Sequence, residues 1–268
     1  MILTGLPGDE AHASRFSSLS KELRDWLVDS VAFPEEQVLE MPEPTTGAEA
    51  SSPLTAETIR STLQSLCEKL DADDTFWLIT VGHGSYDGKR AWFHVAGRDP
   101  SDADLAGWLS PLRCRQQVLW LTHSSSGWMV KALSRPGRIV IAASAADDEP
   151  NETEFPEALV AVAQKSPLDL RPSGEEKLTV ADLFSAVAAE VERRFKRDSR
   201  LPTEHAQLDD NGDAKGSETL AETDKAETAS TTRGPGDGQL ARATVVFDVR
   251  LKRQRGPKTK TQPVQPSN

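Results

Sequence analysis

Cysteine, basic charge and long apolar runs are all scarce in this chain. Its 268 residues include two cysteines, Cys67 and Cys114. Cys67 falls near the apolar side of a helical pattern set by Ile59, Leu63, Leu66 and Leu70, where a packed thiol is expected. Cys114 precedes the apolar run that starts at Val118. Lysine and arginine total 31 against 42 aspartates and glutamates, a formal net charge of -11. Phosphate binding needs a basic surface, so nucleic acid is not expected as the main partner. No stretch suits a bilayer span, and Met1-Ile2-Leu3-Thr4-Gly5 has no basic segment ahead of an apolar run. A cytoplasmic protein with no signal peptide and no membrane span is therefore expected. Asn151-Glu152-Thr153 matches a glycosylation acceptor, but nothing else points to a secreted eukaryotic protein.

What remains is enough to build one sizeable core, with 37% hydrophobic residues and no internal repeat. Short apolar runs alternate with amphipathic helices, the pattern of an α/β fold with a mainly parallel central sheet. Strands are expected at Ile2 to Thr4, Gln37 to Leu39, Phe76 to Val81, Val118 to Ser124 and Arg138 to Ala143. Helices are expected after Asp9 and after Thr55, the latter with Leu54 and Ile59 as a hydrophobic staple around the cap. Others begin between Ser101 and Asp104 and run over Phe155 to Gln164 and Thr179 to Arg197. Pro42 to Pro53 reads as a loop.

Two strand ends carry chemistry. Phe76 to Val81 runs into Gly82-His83-Gly84-Ser85, and Val118 to Leu121 runs through Thr122-His123 into Ser124-Ser125-Ser126-Gly127. Neighbouring parallel strands lie about 4.8 Å apart, so side chains just beyond their ends can meet. Cys114, ten residues before Ser124, lies at the other end of its strand and is no relocated nucleophile.

These segments resemble the caspase-haemoglobinase superfamily, in particular legumain-like peptidases and their bacterial caspase-like relatives. In that family one strand ends in His-Gly-Ser and the next in a Cys-x-Ser-Gly turn whose cysteine is the nucleophile. Here serine stands at the cysteine position, at Ser124. The resemblance covers Met1 to about Gly216. It implies a three-layer caspase-haemoglobinase-type sandwich, a peptide or protein as substrate or ligand, and no cofactor. His83 and Ser124 take the catalytic positions, and the backbone N–H groups around Gly84 and Ser124 are candidates for an oxyanion hole.

Activity is a separate matter, because a serine needs a positioned base and a third group to orient it, whereas a thiol needs less help. In legumain-like enzymes an asparagine in the loop after the first strand supports the histidine. Pro7 stands at the matching place and offers neither a side-chain acceptor nor a backbone donor. Asp87, four residues after His83, fits a local turn better than a substitute orienter. Hydrolysis is accordingly expected to be weak or lost, leaving a peptide-binding pseudoenzyme. The alternatives are an active endopeptidase using Ser124 and His83, and a structural or regulatory domain. His123, one residue before Ser124, is expected to point to the opposite face and pack near Trp128.

Asp147, Asp148 and Glu152 belong to an acidic loop where the family builds part of its substrate groove, and carboxylates there would favour a basic residue in a bound peptide. A solvated loop in an acidic protein explains the same residues. Asp209, Asn211 and Asp213 begin like a calcium loop but lack its closing bidentate glutamate, so a structural turn is expected and no metal site is assigned. The caspase-like domain is expected over 1–213, a flexible linker over 214–238 and a possible added strand over 239–249. A basic tail follows over 250–268, whose Arg250, Lys252 and Arg253 suit an acidic partner.

Overall fold

Residues 1–42, 52–147, 149–220 and 236–249 are described in the computed structural model of the chain. Most of the loop from Pro42 to Pro53, Asp148, residues 221–235 of the expected linker and the basic tail lie outside the described residues.

In chain order the elements are β1 (Ile2–Thr4), α1 (Glu10–Asp29), β2 (Glu40–Met41), α2 (Ala56–Lys69), β3 (Thr75–Val81), β4 (Gly84–Tyr86), β5 (Ala91–Phe93), α3 (Asp102–Leu109) and β6 (Gln116–Leu121). They continue with α4 (Gly127–Leu133), β7 (Arg138–Ala142), α5 (Phe155–Ala163), α6 (Pro167–Leu170), β8 (Lys177–Thr179), α7 (Val180–Arg197), β9 (Gln207–Asp209), α8 (Gln239–Ala243) and β10 (Val245–Asp248). The helix starts follow from their caps. Asp9 accepts the His12 N–H, and Thr55, Ser101 and Thr179 each close a reciprocal capping box.

A six-stranded sheet in the order β2-β1-β3-β6-β7-β9 forms the centre, parallel throughout except for β9, which runs antiparallel to β7. Side chains alternate between its faces. Trp77, Ile79, Val118 and Trp120 face a core shared with α1, α5 and α7, whereas Phe76, Leu78, Leu119 and Leu121 face one shared with α2, α3 and α4. Helices thus cover both faces, which is why β3 and β6 read as unbroken apolar runs. No helix among the described residues is long and apolar enough to cross a membrane.

At the amino end of the sheet Arg138 is buried, and its guanidinium donates to Gln117 Oε1 at 2.8 and 3.0 Å and to the carbonyls of Leu133 and Leu109. Burial there pushes it down to about 10. Cys114 is buried at the same end, and burial raises both cysteine thiols.

Three strand expectations change. The second strand is Glu40–Met41, because Glu35–Gln37 closes into a 3₁₀ turn first. The fourth parallel strand ends at Leu121 and gives way to a turn, rather than reaching Ser124. The apolar segment near the carboxyl end does not extend the central sheet. Its residues Gln239–Ala243 are helical, and β10 pairs antiparallel with β8 in a separate ribbon. The sixth strand of the sheet is β9.

Described residues beyond Asp213 bond to residues before it. Ala214 N–H donates to Ser134 Oγ at 3.0 Å, and Leu208 and Ser217 exchange backbone bonds of 3.0 and 2.9 Å. Asp210 accepts the Gly238 and Ala241 N–H groups, each at 2.8 Å, and so caps α8. Both described ends of the expected linker are therefore tied to the domain by a few polar bonds, which a composition rich in Ala, Glu, Thr and Ser does not reveal.

Candidate active site

The strand order reverses between β1 and β3, and ligands of open α/β sheets gather in the crevice outside the carboxyl ends of the strands at such a point. Gly5 to Gly8 leave β1 there, Gly82 to Gly84 leave β3, and Thr122 to Gly127 leave β6. Gly82 adopts φ 153°, and an added Cβ would lie 3.2 Å from the Gly5 Cα, so the two loops touch through their main chains.

His83 is half-buried, and its Nε2 lies 3.3 Å from the Pro7 carbonyl. A carbonyl only accepts, so in the neutral ring this contact puts the hydrogen on Nε2 and leaves the lone pair on Nδ1. Pro7 lacks an N–H and a polar side chain, but its main-chain oxygen accepts from His83 and so supplies an orienting contact that no side chain provides. Two rings from α1 hold the imidazole from the side, Phe16 at 5.1 Å and His12 at 5.0 Å between centroids, both edge-on.

Ser124 is 5% exposed. Its hydroxyl donates to the Gly84 carbonyl at 3.1 Å, and the Gly84 N–H lies 3.4 Å from the same Oγ. His83 and Ser124 stand at neighbouring strand ends, but no hydrogen bond joins them. The Gly84 amide expected in an oxyanion hole is turned toward the serine hydroxyl itself. Gly84 has no room for a side chain, since a Cβ would fall 2.4 Å from His123 Nδ1 and 2.6 Å from the Ser124 carbonyl oxygen.

The turn after β6 is anchored on its far side. Ser125 takes φ 57°, and Ser126 Oγ accepts the Ala143 and Ser144 N–H groups at 3.0 and 3.4 Å. Gly127 packs so closely on Ser144 and Ala145 that a Cβ would sit 2.3 Å from their backbone. His123 is fully buried, lies against Phe93 at 5.1 Å, and directs Nδ1 at the Ser124 carbonyl 3.0 Å away. Phe93 belongs to the same core as Leu119 and Leu121, the positions that alternate with His123 along the chain.

The acidic loop divides into separate roles. Glu152 turns to α1, where it pairs with Arg15 and lies 3.3 Å from His12 Nε2. His12 Nδ1 meets Asp9 Oδ2 at 2.7 Å. Two carboxylates on one ring require two N–H donors, so the hydrogen bonds that His12 donates to Asp9 and Glu152 raise it above the usual imidazole value. Glu149 accepts the Ala145 N–H at 2.7 Å and pairs with the His205 imidazole, whose pKa it raises. Glu204 is buried beneath the loop, accepts the Glu154 N–H at 2.7 Å, and is driven up to about 8 by desolvation. Thr153 Oγ1 donates to the Thr122 carbonyl at 2.6 Å, tying the loop's end to the turn that carries Ser124.

Asp147 lines a cleft of about 340 Å³ with Tyr86, Ser125, Trp128, Glu149 and Pro150. Tyr86 and Trp128 stack face to face at 4.0 Å, and Trp128 Nε1 donates to the Asp147 carbonyl at 3.2 Å. Asp148 lies outside the described residues. Asp87 folds into its own turn, accepting the Lys89 and Arg90 N–H groups at 2.8 Å each and the Trp92 Nε1 at 3.1 Å.

No protein-family model matches the chain, and no curated protein is detectably similar to it. Among solved structures it is similar to the crystal structure of protein GSU0716 from Geobacter sulfurreducens, at 13% identity and a TM-score of 0.39. That likeness covers 58% of this chain and 72% of the other. At this TM-score it carries no argument about function.

Asp209, Asn211 and Asp213 do not converge. Their side-chain oxygens accept the N–H groups of Gly212, Asp213 and Lys215 at 3.0, 2.8 and 2.9 Å, which makes the segment a series of local turns. Neither His12 nor the Tyr86–Trp128 pair belongs to a motif named from the sequence. A histidine three residues past a helix-capping aspartate was the available sign of the first. The second joins Tyr86 of β4 to Trp128 of α4, a contact between distant segments that no local pattern marks.

Proposed function

We propose that this chain is a caspase-haemoglobinase-type peptidase homologue that binds a peptide at the carboxyl end of the sheet and hydrolyses it weakly or not at all. The observation that carries this reading is the state of the Ser124 hydroxyl, which gives its hydrogen to the Gly84 carbonyl and not to a base. A serine becomes a nucleophile when a base takes that hydrogen, and a backbone carbonyl cannot do so. The paired strand ends, with His83 on one and the Ser124-Ser125-Ser126-Gly127 turn on the next, support the family assignment.

The cleft beside Ser125 supports peptide recognition. Its stacked aromatic wall and Asp147 suit a basic side chain of an extended peptide through cation–π and charge complementarity. Glu152, held by Arg15 and His12, contributes less to that preference than its place in the loop suggested.

One observation favours the active serine peptidase. The Pro7 carbonyl orients His83 with the lone pair on Nδ1, as a general base requires. The two readings separate on the unmodified protein. A peptide library screened for binding and for cleavage should yield basic peptides bound intact, with Ser124→Ala binding them equally. Cleavage that Ser124→Ala abolishes would establish the peptidase, and absence of any bound peptide would leave a structural or regulatory domain.

A further inference from the structure

His123 has no place in the dyad, yet its side chain is buried within the turn that presents Ser124. It is fully buried, with the Phe93 ring on one side and the Gly84 main chain on another. Its Nδ1 lies 3.0 Å from the Ser124 carbonyl oxygen, and its Nε2 is buried with no partner. Because the carbonyl can only accept, Nδ1 carries the ring hydrogen and Nε2 is bare. An imidazole with one nitrogen unsatisfied is a costly filler for an apolar site, so the Nδ1 bond is what distinguishes it from leucine.

That bond acts on the position that matters. A peptide unit is planar and trans, so fixing the Ser124 carbonyl fixes the plane between Ser124 and Ser125. Ser125 follows at φ 57°, a region that L residues enter only when their surroundings determine it. Ser124 Oγ, on the same residue, is held by Gly84, whose Cα is packed on His123 Nδ1.

We propose that His123 is a positioning residue, whose neutral Nδ1–H sets the Ser124–Ser125 peptide plane and with it the direction of the side chain at position 124. The proposal rests on the peptide-binding reading only for its catalytic consequence. Burial supports the neutral ring, pushing its pKa down to about 4, with His94 and His83 nearby adding like-charge opposition.

Two measurements on the full-length chain decide it. Ring ¹⁵N spectra of the wild-type protein at neutral pH should show His123 as the Nδ1–H tautomer with a slowly exchanging proton. An Nε2–H tautomer or an imidazolium signal overturns the proposal, whatever the activity. The second uses Ser124→Cys and a peptidyl acyloxymethyl ketone, with the labelled site assigned by mass spectrometry. Adding His123→Leu should lower the maximal labelling rate roughly tenfold or more with little change in the half-saturating concentration. His123→Asn, which keeps an N–H donor near the Nδ1 position, should restore most of the rate. Equal loss in both variants, or a change confined to half-saturation, contradicts a positioning role. If Ser124→Cys takes no label at all, the peptide-binding reading fails and the ring spectra alone decide the role of His123.

Discussion

Gly84→Ala is a perturbation for which the site has no room. The added methyl carbon would stand 2.4 Å from His123 Nδ1, 2.6 Å from the Ser124 carbonyl oxygen and 2.9 Å from the Trp92 carbonyl oxygen. Two of those atoms are main chain, and the third belongs to a ring buried against Phe93, so no flexible group can swing aside. Overpacking of this kind costs about 1–3 kcal/mol. Displacing the strand end also weakens the bonds between Gly84 and the Ser124 hydroxyl, worth about 1 kcal/mol together given the length of the second. A total of about 2–4 kcal/mol corresponds to a drop of roughly 4–16 °C in Tm for a domain of this size. Gly107→Ala is the control, because that glycine lies exposed in α3 with nothing within 4 Å of the new carbon. Alanine there should stabilise by about 0.5–1 kcal/mol. Calorimetry on both variants should give shifts of opposite sign. A Gly84→Ala protein melting with the wild type would refute the close packing of Gly84, His123 and Ser124.

The remaining predictions concern the groups around the acidic loop. Glu204, raised to about 8, favours folding in its protonated form, so its contribution is complete below the ordinary carboxyl range and is lost as pH rises through about 8. Glu204→Gln should flatten that decline in urea midpoints measured across this range; an unchanged slope would contradict it. His12, raised by Asp9 and Glu152, stabilises fully below about pH 6.5 while the carboxylates stay ionised, and the benefit disappears as pH rises through its folded value. The gap in unfolding midpoint between wild type and His12→Ala should therefore narrow toward alkaline pH, and a gap independent of pH would rule out the charge. Thr153→Val removes the bond to the Thr122 carbonyl and should cost about 1–3 kcal/mol by chemical denaturation, since the carbonyl is left buried.

Much of the architecture was legible because its signals are local. Asp9, Thr55, Ser101 and Thr179 cap the helices that their sequence positions announced. The apolar runs of β3, β6 and β7 mark strands covered on both faces. The hairpin β4–β5 and the edge strand β9, three residues per strand, are not among the strands expected from the sequence. β10 lies within the segment expected as an added strand, but its pairing with β8, outside the central sheet, depends on contacts across more than sixty residues of chain.

For the candidate site, the sequence placed His83 and Ser124 at adjacent strand ends, and the structure puts both there. It could not show that the serine hydroxyl binds the Gly84 backbone, nor that a main-chain carbonyl of Pro7 faces His83. Backbone donors and acceptors belong to every residue, so their use at a site leaves no mark in residue type.

The central claim is that a peptide groove survives around a hydroxyl that no base activates, and one substitution tests it most directly. Ser124→Cys supplies a nucleophile that depends less on its base. Its labelling by a peptidyl acyloxymethyl ketone should be followed by mass spectrometry beside the wild type, with Cys67 and Cys114 as internal controls. The account predicts labelling at position 124 that His83→Ala abolishes, together with peptide hydrolysis absent from the wild type. A Ser124→Cys protein as inert as the wild type toward a broad panel of such reagents would contradict it.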